Sequence, residues 1–146
     1  ERCMLKAVVE FYGKEGEENR VQVRMFDQSD IKGGTATIDK NGISSITVNL
    51  RGNSDRVLAR IVAHEGKHGV DDKERKRSVD NRSEWRSHEI EGYKAQAFIQ
   101  KALNFAESSM DGFVPGRGLI PENIESQAER SINASCMGST EGACRE

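Results

Sequence analysis

The sequence predicts an α+β fold: a small N-terminal sheet, antiparallel or mixed, packed on one long helix and followed by two further helices. Two observations carry this. Through residue 50 the apolar residues alternate as a half-buried strand requires, and from residue 54 they recur at helical spacing. The Asn41-Gly42 pair adds a third signal, because both residues tolerate the positive φ of a tight hairpin turn.

Leu5, Ala7, Val9 and Phe11 fall on one face of an extended chain and predict a first strand. Val21, Val23 and Met25 predict a second. After Gly33-Gly34, residues 35 to 50 read as a hairpin, with Thr37 and Ile38 entering the turn and Ile46, Val48 and Leu50 returning. Residues 45 to 51 are expected to form the exposed edge of the sheet. A helix then opens at Asn53 or Ser54 and carries the stripe Val57, Leu58, Ile61 and Val62 into His64 and His68, ending near Gly69 or a few residues later. The mixed charges of residues 71 to 86 read as a solvated helix end and connector.

Asn81 with Glu84 three residues on has capping-box spacing and predicts a helix over 82 to 107, with Trp85, Gly92, Ala95, Ile99, Ala102, Leu103 and Ala106 on its apolar arc. Trp85 and Phe98 read as core residues. Residues 108 to 120 are a Gly-rich loop, and Pro121 suits the first turn of a third helix ending near Ser135.

The 146 residues suit one domain, with a sheet region over 1–52 and a helical region over 53–146. A net charge of −2 gives no basic field for nucleic acid, and no apolar run approaches the ~20 residues that span a bilayer. The expectation is a soluble protein. The chain opens on Glu1 rather than Met, as a processed product or an excised domain would, and shows no signal peptide. Cys136 and Cys144 are close enough in sequence to close a short disulfide loop, which would favour an oxidising compartment; three free thiols are the alternative.

The segment that carries chemistry is His64-Glu65-Gly66-Lys67-His68. Residues four apart on a helix share a face, so two imidazoles can grip one metal ion, and zinc accepts such a pair. Glu65, between them, is then placed beside the metal-bound water as general base. These are two of the chain's three histidines. A catalytic zinc takes a third protein ligand, and Glu84, His88, Glu89 and Glu91 on the next helix all offer one. Asp71 and Asp72 fall one turn beyond His68, where a carboxylate can orient a ligand imidazole or simply face solvent. Gly112 to Gly118 lacks phosphate-loop spacing, and Cys136 has no histidine left over to activate it.

His64-Glu65-x-x-His68 followed by Glu89-x-x-Gly92-x-x-Ala95 resembles the zincin pattern in which a glutamate on the next helix is the third ligand, as in gluzincin-type metallopeptidases. More narrowly, residues 64 to 72 with Glu89 to Gln96 resemble the metallopeptidase-like C-terminal domains of bacterial polymorphic (Rhs-type) toxins, over residues 61 to 105. The resemblance implies zinc held by His64, His68 and Glu89, Glu65 as base and Tyr93 as donor to the developing oxyanion. It also implies a zincin-like fold, a peptide or protein substrate, secretion or delivery to a target compartment, and a cognate inhibitor (immunity) protein as partner. Gly92 stands where alanine is more usual, and His88 keeps the third ligand open. The rival readings are a zinc hydrolase of cell-wall peptide or amide bonds and a non-catalytic metal-binding module.

Overall fold

The computed structural model describes residues 1–13, 21–27, 33–103, 113–114, 118–119 and 121–146. It is α+β, and its contacts group into two compact units, Glu1–Ser78 and Val79–Glu146.

The first unit opens with a helix, α1 (Arg2–Gly13), where alternation had predicted a strand. Leu5, Val8 and Tyr12 are buried while Ala7 and Phe11 are exposed. Spacings of three and four residues therefore decide the buried face, and the alternation of Leu5, Ala7, Val9 and Phe11 is incidental to it. Three strands follow: β1 (Gln22–Phe26), β2 (Gly34–Ile38) and β3 (Ser44–Asn49). The β2–β3 hairpin forms as expected. Asp39 Oδ1 accepts from the backbone N–H groups of Asn41 and Ile43, and Gly42 takes φ +79°.

The sheet order is β1-β3-β2, parallel between β1 and β3 and antiparallel between β2 and β3. Residues 45 to 51 are consequently not an edge. Ile46 and Val48 are fully buried on the middle strand, and among the described residues the edges are β1 and β2.

Helix α2 (Asp55–Arg75) packs on α1, β2 and β3. It runs well past Gly69, because the chain turns only at Lys76, whose φ of 65° lets the N–H groups of Lys76 and Arg77 bond back to Lys73 and Asp72. Gly69 instead gives room: a β-carbon there would stand 2.7 Å from Val21 Cγ1, and Ser44 Oγ donates to the Gly69 carbonyl at 2.7 Å. The charged run is likewise not all solvated, since Asp72 is buried.

The second unit holds α3 (Arg82–Ala102), a two-stranded ribbon of β4 (Phe113–Val114) and β5 (Gly118–Leu119), and α4 (Pro121–Cys136). The ribbon lies within the expected Gly-rich loop; Gly112 and residues 104–107, including Ala106, lie outside the described residues. Asn81 caps α3 by accepting from the Glu84 N–H at 2.9 Å. The expected apolar arc is corrected. The buried face of α3 is largely polar (His88, Glu89, Gln96, Gln100), while Ala102 and Phe98 are exposed. Buried Ile124, Ala128 and Ile132 line α4 at four-residue spacing, and Arg82 and Arg86 both reach Glu129 across the α3–α4 pair. A Cys136–Cys144 disulfide closes the chain end, Cys3 is free, and the Arg145 carbonyl accepts from the Arg82 N–H in the first turn of α3.

Candidate metal centre

Helix α2 presents His64 and His68 one turn apart, as the sequence spacing requires. Both are buried, and their rings stand edge to face with centroids 4.6 Å apart. Their ligand-capable nitrogens lie within 4.8 Å of each other, a separation one ion can bridge. Glu65 is half-buried on the same turn.

What holds this turn in place is packing on the opposite side of α2. A β-carbon on Gly66 would stand 2.5 Å from the Tyr12 ring, so α1 and α2 approach more closely than any larger residue permits. The Tyr12 hydroxyl donates to the Ala63 carbonyl at 3.4 Å. Burial, with a smaller push from the Asp71 charge, raises the Tyr12 phenol to about 12. Neither Tyr12 nor the role of the two glycines was read from sequence. The signal was available in the Leu5, Val8, Tyr12 spacing.

Asp72 continues the His64, His68 stripe by one more turn. Burial raises its carboxyl above the usual range, and the positive charge of Arg75 and the interaction with His68 pull the other way. Arg75 donates to Asp72 Oδ1 at 2.7 Å. Its neighbour Asp71 pairs instead with Lys67 at 2.9 Å. The two acids thus differ: Asp72 interacts electrostatically with His68, and Asp71 ties down the residue between the histidines.

In the second unit, α3 separates the four possible third ligands by environment. Glu84 belongs to the helix start, with Oε1 accepting from the Asp80 N–H at 3.2 Å. Glu91 is near the surface beside Lys94 at 3.3 Å. His88 and Glu89 are both buried. Trp85 Nε1 donates to Glu89 Oε1 at 3.4 Å. Tyr93 is half-buried, one turn from Glu89, and its hydroxyl accepts from Gln127 Nε2 at 3.4 Å.

The paired imidazoles of the first unit fit a metal: zinc accepts such nitrogen donors, whereas calcium or magnesium favours oxygen throughout. No family model, curated protein or solved structure matches the chain.

Proposed function

We propose that the chain is a zinc-dependent hydrolase of the peptidase type, with a zincin-like arrangement in which His64, His68 and Glu89 hold the ion. The observation that carries the reading is the buried pair His64 and His68, one turn apart on α2 with Glu65 between them. Glu89 is preferred because it is buried, whereas Glu84 bonds the Asp80 N–H at the helix start and Glu91 pairs with Lys94 near the surface.

Zinc, when bound, polarises the scissile carbonyl and lowers the pKa of the attacking water. Glu65 takes the proton from that water and delivers it to the leaving nitrogen. Tyr93 or a backbone N–H donates to the oxygen on which negative charge develops. Edge strand β2, which packs against α2, offers main-chain groups that an extended peptide can pair with, since among the described residues β2 pairs only with β3. The resemblance of residues 61 to 105 to toxin metallopeptidase domains supports a delivered effector restrained by an inhibitor protein. The Cys136–Cys144 disulfide supports an oxidising compartment.

Metal analysis after zinc loading tests the centre. Wild type should hold one zinc and His64→Ala should not, and a wild type that stays metal-free sinks the reading. Labelled casein and labelled peptidoglycan assayed side by side then separate a protein substrate from a cell-wall one.

A further inference from the structure

Gly34 opens β2 and lies opposite Val48 in the hairpin. Its φ is not in the positive range, so the backbone does not demand glycine there. Space does. A β-carbon on Gly34 would stand 2.9 Å from Glu65 Cγ, 2.8 Å from Ile61 Cγ2 and 3.4 Å from the Thr47 carbonyl oxygen. The first two distances are shorter than real contacts between such carbons, and neither atom is the free end of a long side chain. Gly33 beside it is also tight, with its β-carbon position 3.2 Å from Ile61 Cδ1. Helix α2 therefore meets the start of β2 backbone to side chain, and Ile61 and the glutamate between the two histidines are the residues that touch.

We infer that Gly34 is a positioning residue for Glu65: its missing side chain lets the strand backbone hold the glutamate Cγ in one place and so fixes where the carboxylate can act. A Cγ confined on one side has fewer χ1 wells to choose from, and the carboxylate is left to move mainly about its outer torsions. General-base catalysis depends on that restriction, because a proton is passed efficiently only within hydrogen-bond reach. The inference rests on the zinc-hydrolase reading for its functional half, and on the Gly34–Glu65 contact alone for its structural half.

Two measurements test the halves separately. The first is a double-mutant cycle on melting temperature without added metal, using Gly34→Ala, Glu65→Ala and the pair. Gly34→Ala should lower Tm by about 5 °C or more, as overpacking does, and by no more than about half as much once Glu65 is shortened. An additive cycle overturns the contact. The second uses zinc-loaded protein and acetohydroxamic acid, a chelating probe whose proton a base beside the metal accepts. Gly34→Ala should bind it at least about tenfold more weakly, the loss of one hydrogen bond to a charged acceptor, while zinc affinity stays within about threefold. In an Ile61→Ala background, which relieves the other clash, Gly34→Ala should cost less stability than it does in wild type while the loss of probe binding stays the same. Unchanged probe affinity in Gly34→Ala overturns the positioning role. A wild type that takes no zinc overturns the hydrolase reading and the positioning role with it, whereas the cycle reports on the contact either way.

Discussion

Tyr12 and Gly66 touch so closely that a β-carbon at residue 66 would lie 2.5 Å from two atoms of the tyrosine ring. Gly66 sits between His64 and His68, so the packing of α1 on α2 and the spacing of the histidines share one turn of helix. Gly66→Ala should cost about 1–3 kcal/mol by overpacking, although alanine is the better helix former by about 1 kcal/mol. Thermal or urea unfolding checks it. Combining Gly66→Ala with Tyr12→Ala should cost less than the two single losses together, and a stabilised Gly66→Ala would contradict the contact.

Tyr12 also sets a pH dependence. Its folded phenol is raised to about 12, above the ordinary value of 10. Below pH 10 the phenol is protonated in both states and its contribution is complete. Between pH 10 and about 12 only the unfolded chain ionises, so stability falls as pH rises. Tyr12→Phe should remove that part of the alkaline slope and cost about 0.5–1.5 kcal/mol at pH 7 for the hydrogen bond to Ala63. Denaturant midpoints measured from pH 8 to 12 show whether the slope changes.

Asp72 sets stability against function. Burial is the largest influence on its carboxyl and outweighs Arg75 and His68, so the ionised group costs the fold at neutral pH. Asp72→Asn should leave Tm unchanged or raised. If Asp72 orients His68, the same variant should bind zinc about 10- to 100-fold more weakly in a chelator competition. A variant of full zinc affinity would overturn the orienting role.

The roles proposed for the glutamates separate cleanly. Glu65→Gln should keep zinc and lose about 100- to 10,000-fold in hydrolysis, because a positioned base contributes on that scale. Glu89→Ala should release zinc where Glu91→Ala does not. If His88→Ala is the variant that releases it, the third ligand moves by one residue.

The disulfide makes a prediction confined to the second unit. Cys136 and Cys144 are 8 residues apart, and closing so short a loop stabilises by about 2–3 kcal/mol in the chain-entropy account. Reduction should lower the melting temperature and raise amide exchange at the start of α3, where the Arg82 N–H bonds to the Arg145 carbonyl. Exchange unchanged by reduction would show that the tail stays docked without the bond.

Sequence alone located both helices of the candidate centre, the Asn81 cap and the Asn41-Gly42 hairpin, because each is written in residues a few positions apart. It failed where the answer depends on distant partners. Leu5, Val8 and Tyr12 lie on one helical face, yet Ala7, Val9 and Phe11 supply an equally regular alternation, and only packing against α2 decides between them. The order β1-β3-β2 is not written in any strand, so nothing in residues 45 to 51 marks them as the middle of the sheet. Asp72 stood in a run of charges that reads as solvent-facing, and its burial reflects where α2 lies in the first unit. Gly34 reads only as a break before the hairpin and Gly66 as a helix residue; what matters at each is an atom brought from another element.

The mixed sheet has a consequence for the order of events when the chain folds. β2 and β3 are joined by a turn and can zip as a hairpin within microseconds, whereas β1 must wait for β3 before it has a parallel partner. The strand bearing Gly34 is thus paired early. The later, longer-range closure of β1 onto β3, with Val21 settling against Gly69, is then the step that commits the first unit, and a pulse of amide labelling should find β1 the last strand to gain protection.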